Sequence, residues 1–164
     1  MNYLMVNYLI RPLRPSEYRL LEDFLYEAVF IPEGENPPDR SIIYRPELQV
    51  YISGFGEKPD DKCLIAEVNG RAAGAVWTRI MNDYGHIDDE TPSFAISLYK
   101  EYRGRGIGTE MMRRMLSLLK DCGYRQASLS VQKQNYAVKM YRRLGFAAVR
   151  EDKEEYLMKI DLDE

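Results

Sequence analysis

Histidine and cysteine are scarce in this chain. Among 164 residues there is one histidine, His86, and there are two cysteines, Cys63 and Cys122. One histidine cannot supply the two or three imidazoles that zinc sites commonly use, which argues against a metal centre. The two cysteines lie far apart in apolar stretches, where a free cysteine usually behaves as a small buried hydrophobe. We therefore expect structural thiols, with neither a disulfide nor a metal.

Long apolar runs and basic tracts are also missing. No apolar run reaches the ~20 residues that a membrane span needs, and the apolar start Met1–Ile10 lacks the charged beginning and the cleavage site of a signal peptide. The formal net charge is −3, and the lysines and arginines are spread along the chain. These features predict a cytoplasmic protein whose partners include neither a membrane nor nucleic acid.

The composition is that of a globular protein, with 45% hydrophobic and 30% charged residues. A chain of this length is near the common size of one domain. Because the sequence has no internal repeat and no low-complexity segment, we expect residues 1–164 to form a single domain.

The hydrophobic pattern changes between helical and alternating periods along the chain. In order, it predicts a strand, a helix, several antiparallel strands, a helix, a strand, a helix and two strands. The fold class is therefore α/β in the mixed α+β sense, with a central twisted mixed sheet, mostly antiparallel, of about six to seven strands and helices on both faces. The main markers are the helix Tyr18–Val29, the hairpin turn at Asn69-Gly70-Arg71, the strand Phe94–Leu98, the helix from Ile107 to its stop at Gly123, and a helix capped by Asn135 that ends at Leu144.

A glycine cluster, Arg103-Gly104-Arg105-Gly106-Ile107-Gly108, joins a predicted strand to a predicted helix. Backbone N–H groups and the positive end of a helix converge at such a turn, which suits a phosphate anion. The dinucleotide fingerprint fails, because its third glycine position is Thr109 or Met111. The P-loop fails too, because no lysine follows the last glycine. A tight structural turn is the alternative reading.

The spacing of Arg103, Gly106 and Gly108 resembles the acetyl-CoA loop of the GNAT superfamily of acetyltransferases. A second segment strengthens the resemblance, since an asparagine, an alanine, a tyrosine and Gly-Phe recur at the family's spacing in Asn135-Tyr136-Ala137-Val138-Lys139-Met140-Tyr141-Arg142-Arg143-Leu144-Gly145-Phe146. The resemblance covers roughly Cys63 to Ile160 and implies a GNAT-like acyl-CoA N-acyltransferase fold with acetyl-CoA as co-substrate.

The resemblance also implies a set of site residues. The strand before the loop is expected to splay from its neighbour and pair with the pantetheine arm, and Asn135 is expected to contact that arm. Tyr141 occupies the position of the general acid, although an aromatic residue packed on the sheet is its other reading. The implied cofactor-binding residues are Ile96, Ser97, Leu98, Arg103, Gly104, Arg105, Gly106, Ile107, Gly108, Thr109, Asn135 and Tyr141.

The implied reaction is direct attack of a primary amine, of a small molecule or a protein, on acetyl-CoA in a ternary complex. The N–H of Leu98 is the expected donor to the oxyanion, and Tyr141 the expected proton donor to the thiolate. The catalytic base is not fixed by the resemblance. Candidates by proximity are His86, Asp88, Asp89 and Glu90, which a solvated acidic loop explains as well.

The acceptor is not identified by the sequence. Acidic residues in the proline-bearing loop could attract a cation, with aromatic walls beside them. The alternative functions are a non-catalytic acyl-CoA-binding sensor and an interaction module in which the glycine turn is only structural. The resemblance also suggests a homodimer. The residues concerned in the acceptor hypothesis are Glu33, Glu35 and Asp39, with Tyr44, Tyr51, Trp77 and Tyr84 as walls.

Overall fold

Seven strands form one sheet in the order β1-β2-β3-β4-β5-β7-β6 in the computed structural model, which describes residues 7–163. All neighbouring strands are antiparallel except β4 and β5. The predicted mixed, mostly antiparallel sheet is thus confirmed. The strands are β1 Tyr8–Pro12, β2 Lys62–Val68, β3 Arg71–Arg79, β4 Ser93–Leu98, β5 Gln126–Gln132, β6 Ala147–Glu151 and β7 Glu155–Asp161.

Four α-helices pack on the sheet, joined by three short 3-10 helices. The α-helices are α1 Leu20–Ala28, α2 Pro46–Gln49, α3 Ile107–Asp121 and α4 Ala137–Leu144, and the 3-10 helices are Pro15–Glu17, Arg40–Tyr44 and Lys100–Tyr102. Within residues 7–163 no helix is long and apolar enough to cross a membrane. The apolar start of the chain lies outside the described residues as far as residue 6.

The predicted hairpin connects β2 to β3. Asn69 and Gly70 have φ angles of 50° and 79°, which are the left-handed conformations that a two-residue hairpin turn requires. Most of β3 is buried, because helices cover both faces of the central strands. The second strand of this hairpin, β3, pairs with β4.

Two hydrophobic cores lie on opposite faces of the sheet, as the prediction of helices on both faces requires. On one face α3 packs against β2, β3 and β4, and its methionines share a core with residues of β5 and β7. On the other face α1 packs mainly against β4 and also against β3, with Trp77 and Phe24 fully buried. The first core is centred on Met111, Met112, Met115, Val76, Leu129 and Met158, and the second on Leu21, Phe24, Leu25, Ile43, Ile65 and Trp77.

The two cysteines have different environments. Cys63 lies in the second core, and burial raises the pKa of its thiol. Cys122 is exposed, which corrects the expectation of a buried thiol there. The physical reason is that α3 ends at Asp121, so Cys122 caps the helix and no longer continues its apolar face.

The parallel pair β4–β5 is joined in register only at Ser93 and Ser128. Beyond this pair the strands separate toward their carboxyl ends. Each remains hydrogen-bonded on its other side, β4 to β3 and β5 to β7. The middle of the sheet therefore contains a cleft between two otherwise well-paired strands.

Candidate active site

The cleft between β4 and β5 opens into a cavity of about 290 Å³. Its walls come from both strands, from α1 and the residues that follow it, and from α4. Three of the predicted site residues, Ile96, Asn135 and Tyr141, line this cavity. The remaining lining residues are Leu25, Ala28, Val29, Phe30, Leu48, Tyr51, Phe94, Ala95, Leu129, Ser130, Val131, Gln132 and Glu155.

The main chain of β4 presents alternate residues to the cleft. Tyr99, which directly follows β4, donates its N–H to Ala73 O at 2.9 Å, on the β3 side. Because main-chain groups alternate in direction along an antiparallel ladder, those of Leu98 and Ile96 point toward β5. β5 has already diverged at this level, so these two residues carry strand groups without a partner strand.

Ser97 differs from the prediction that groups it with Ile96 and Leu98. Its main chain faces β3, where it is in register with Ala75, and its hydroxyl donates to Phe24 O at 2.6 Å. Ser97 therefore joins β4 to α1 instead of facing the cleft. The alternation of the strand is the reason, since only every second residue of β4 can offer its backbone to one side.

The glycine turn follows β4 and begins α3. Gly104 and Gly106 have φ angles of 75° and 82°, which L-residues with a side chain rarely adopt, and a Cβ at either position would meet no atom within 4 Å. The turn is thus open toward solvent. The first N–H groups of α3, from Ile107 to Thr109, precede the first helical hydrogen bond, in which Glu110 donates to Gly106 O at 3.2 Å. Such groups form an anion site.

Arg103 and Arg105 lie in the same turn but have different surroundings. The guanidinium of Arg103 donates to Leu98 O at 2.9 Å and forms an ion pair with Glu27 at 3.1 Å. It therefore ties the turn to the end of β4 and to α1. Arg105 is exposed at the surface of the turn. A Cβ at Gly108 would lie 3.5 Å from Leu98, so the start of α3 packs directly on the end of β4.

Tyr141 projects from α4 into the cavity. Its side chain is buried to all but 8%, and its ring packs edge-on against Phe146. Within residues 7–163 its hydroxyl has no hydrogen-bond partner, although it lines the cavity. Burial raises the pKa of Tyr141 to about 12, so the phenol keeps its proton near neutral pH. The hydroxyl is therefore available at the cavity surface to donate a hydrogen bond to a ligand.

Asn135 lies at the start of α4 and performs the expected capping. Its side-chain oxygen accepts a hydrogen bond from the N–H of Ala137 at 2.9 Å. Asn135 also lines the cavity, so the same residue fixes the first turn of α4 and borders the space in front of Tyr141. Both observations are compatible with the role in the cofactor site that the sequence suggests.

An acidic floor at the cavity was not predicted. Glu155, at the start of β7, lines the cavity and accepts a hydrogen bond from Gln132 at 2.8 Å. The hydroxyl of Tyr51, another lining residue, donates to Asp83 at 3.0 Å. Burial raises the pKa of both carboxyl groups and of the phenol. No sequence signal marks this group, because its members come from three distant segments.

The base candidates suggested by the sequence lie outside the cavity lining. His86 bonds through Nδ1 to Met81 O at 2.9 Å, and its Nε2 is 3.5 Å from Asp89. Asp88 accepts hydrogen bonds from Thr91 and from the N–H of Glu90. These residues thus organise the connection between β3 and β4. Asp83 belongs to the same connection and reaches the cavity through Tyr51.

Most of the residues that the sequence suggests for binding the acceptor lie outside the cavity lining. Asp39 caps a 3-10 helix through Ser41, and Glu33 and Glu35 are exposed. Trp77 is fully buried and donates to Tyr51 O at 3.0 Å, so it supports the cavity wall from behind. Of the four aromatic residues suggested as walls, only Tyr51 lines the cavity.

The arrangement offers the features that an acyl-CoA thioester requires. A glycine turn at a helix start can hold phosphates, main-chain groups of Ile96 and the N–H of Leu98 can bond to the amides of an extended arm, and a protonated phenol faces the same space. The main-chain groups without a partner strand and the orphaned hydroxyl of Tyr141 are the observations that fit such a ligand.

Comparison with known proteins gives related sequences and structures. The chain is 33% identical over 82 residues to mycothiol acetyltransferase of Thermobifida fusca, covering 48% of this chain and 25% of that protein. It is 32% identical over 114 residues to thialysine N-epsilon-acetyltransferase of Sus scrofa, covering 60% and 63%. These matches span less than two thirds of the length of either relative.

Solved structures share the fold at low sequence identity. The PaiA N-acetyltransferase of Thermoplasma acidophilum, solved in complex with coenzyme A, is 18% identical and superposes with a TM-score of 0.71 over 94% of this chain and 99% of that one. The sequence model of the acetyltransferase (GNAT) family matches residues 21–146, from α1 through the glycine turn to Phe146. The chain therefore belongs to the GNAT family of acetyltransferases.

Proposed function

We propose that the protein transfers the acetyl group of acetyl-CoA to a primary amine by direct attack within a ternary complex. The observation that carries this proposal is the hydroxyl of Tyr141, which faces the cavity between β4 and β5, is protonated and has no partner among residues 7–163. A hydroxyl in this state is suited to donate a proton to a leaving thiolate.

The cofactor lies across the glycine turn and along β4 in this proposal. The pyrophosphate is held by N–H groups at the start of α3, and the pantetheine arm pairs with the main chain of Ile96 and Leu98. This placement is supported by the open space over Gly104 and Gly106 and by the missing β5 partner. It directs the thioester toward Tyr141 and the cavity.

The chemical step then uses two groups of the chain. The N–H of Leu98 points toward the cleft and donates to the oxyanion that forms when the amine attacks the carbonyl carbon. As the carbon–sulfur bond breaks, Tyr141 gives its proton to the sulfur. The attacking neutral amine loses one proton as its nitrogen becomes an amide, and this proton restores the phenol, so that Tyr141 is regenerated in each turnover. An amine acceptor is supported by the name of one relative, which specifies the N-epsilon position.

Calorimetric titration of acetyl-CoA into the parent protein and into Gly106→Trp tests the cofactor site. We expect saturable binding by the parent and none by the variant, because the indole would occupy the open space of the turn. Gly123→Trp is the matched control: Gly123 also has a positive φ angle, 91°, and open surroundings, but it lies beyond the other end of α3. The absence of binding by the parent would refute the proposal.

A further inference from the structure

One acidic group lines the cavity, a second lies behind a lining residue, and neither forms an ion pair within residues 7–163. Glu155 lines the cavity directly, and Asp83 reaches it through the hydroxyl of Tyr51. Among residues 7–163, neither carboxyl group has a lysine, an arginine or a histidine at ion-pair distance. Carboxylates removed from water are ordinarily paired or bound to a cation. The described residues therefore supply no countercharge to the carboxyl groups of Glu155 and Asp83.

The carboxyl group of Glu155 accepts a hydrogen bond from a neutral side chain, that of Gln132. Gln132 donates to its Oε1 at 2.8 Å from the adjacent position of β5, with which Glu155 is in register. The charged groups that act on Glu155 are Asp152, Glu154 and Asp83, and all three are acidic. Their combined effect is a negative potential at the β5–β7 side of the cavity, which favours a bound cation.

A second, independent feature points to a ligand in the same cavity. The hydroxyl of Tyr141, buried to all but 8%, has no partner within the described part of the chain and borders the same space. The opposite wall is apolar and is formed by α1 and the residues after it, including Leu25, Ala28, Val29 and Phe30. The cavity therefore combines an acidic floor, an apolar wall and a proton donor.

We infer that Glu155 binds the acceptor as an ammonium ion and takes its proton, with Asp83 adding negative charge behind the neutral hydroxyl of Tyr51. This inference rests on the proposed function. The acceptor class is a primary amine at the end of a slim aliphatic arm, because the charged end meets the floor and the arm lies along the apolar wall. A free alkylamine and a lysine side chain share this chemistry.

The proton balance of the reaction assigns separate tasks to Glu155 and Tyr141. The ammonium gives one proton to the Glu155 carboxylate, and the resulting lone pair forms the new carbon–nitrogen bond. Glu155 is only partly buried, so this proton passes on to water. The proton that Tyr141 gives to the sulfur is replaced from the amide nitrogen. One proton is released per turnover, and it leaves through Glu155.

The test compares Glu155→Gln with the parent on two amines of opposite protonation state at pH 7. Butylamine is an ammonium ion, whereas 2,2,2-trifluoroethylamine is largely unprotonated and needs no base before attack. We expect kcat/KM for butylamine to fall roughly 100-fold, the lower range of general-base effects, and to change far less for trifluoroethylamine. Glutamine keeps an acceptor oxygen for Gln132, and acetyl-CoA binding by calorimetry should stay unchanged.

Glu57→Gln is the matched control, because Glu57 is exposed, lies outside the cavity lining and is not among the charged groups that act on Glu155. Equal losses for both amines, or no loss for butylamine, would overturn the role of Glu155 while leaving the proposed function intact. Failure of the parent to bind acetyl-CoA would instead refute the proposed function.

Identifying the source of the amine requires a second comparison, of butylamine with a lysine-containing peptide on the parent protein. Turnover of either one supports the acceptor class, and the ratio of their kcat/KM values shows whether free amines or protein lysines are preferred. If the parent binds acetyl-CoA but acetylates neither, the inferred acceptor class is wrong.

Discussion

The hydroxyl of Tyr141 places a potential proton donor in the cleft between β4 and β5. The ring of Tyr141 packs against Phe146, and the sequence pattern alone would allow this packing to be the residue's whole role. The structure places its hydroxyl against an open cavity, where burial raises the pKa to about 12. At neutral pH the phenol therefore carries its proton and can act as a donor in the cavity.

Replacing Tyr141 by phenylalanine removes this proton and keeps the ring packing. We expect kcat for amine acetylation to fall roughly 100-fold, within the range of general-acid effects, with acetyl-CoA binding unchanged. Steady-state kinetics and calorimetry measure the two quantities. Because the group loses its proton only near pH 12, the parent should show no loss of activity from this residue between neutral pH and moderately alkaline pH.

Tyr136→Phe provides the control for this substitution. Tyr136 lies five residues earlier, is 76% exposed and does not line the cavity. Its loss should leave kcat unchanged. If Tyr141→Phe turns over as fast as the parent, the thiolate receives its proton from another source.

At the scale of elements, the end of β3 holds the segment that follows α2. Arg79 is buried, and it forms an ion pair with Asp61 at 3.1 Å while donating to Val50 O and Ser53 O at 3.1 and 2.9 Å. One guanidinium thus fixes both ends of the segment from residue 50 to residue 61. This segment carries Tyr51, so the ion pair also supports the cavity wall.

Asp61→Asn should destabilise the fold strongly. The side chain of Asp61 is fully buried, and removing its charge leaves the Arg79 guanidinium uncompensated, which typically costs about 3 kcal/mol or more. Urea unfolding at pH 7 measures the difference. Glu57→Gln, in the exposed part of the same segment, should have little effect. A change below about 0.5 kcal/mol for Asp61→Asn, the level of ordinary surface substitutions, would show that water compensates the arginine.

The elements were more predictable from the sequence than the acceptor side of the site. The alternation in β5 and the apolar stripe of α3 depend on local periodicity, and the glycine turn and Tyr141 depend on a short motif. Glu155, Asp83 and Tyr51 have no such signal, because β5–β7 pairing and the connection before β4 bring them together from distant segments. The direction of Ser97 had no signal for a related reason: the motif predicts a strand, but only the register shows that its main chain faces β3 while those of Ile96 and Leu98 face β5.

For the molecule as a whole, cofactor binding and folding are linked. A ligand that binds only the folded state at a concentration 100 times its Kd stabilises that state by about 2.7 kcal/mol. For a chain of this size, that corresponds to a rise in Tm of roughly 5 to 10 °C. Thermal unfolding with and without acetyl-CoA measures the shift, and Gly106→Trp should show none. An unchanged Tm for the parent at saturating acetyl-CoA would contradict specific binding to the native protein.

The separation of β4 from β5 gives this sheet an internal edge. An exposed edge strand normally invites pairing with any extended chain, and proteins protect such edges with charges, bulges or covering elements. Here Tyr141 from α4, Asn135 just before α4 and residues of α1 line the cavity beside Ile96. The carbonyl of Leu98 is covered by Arg103, which donates to it at 2.9 Å. The part of the edge left open for an added chain is therefore short, and α1 and α4 flank it in place of the charges or bulges that protect outer edges.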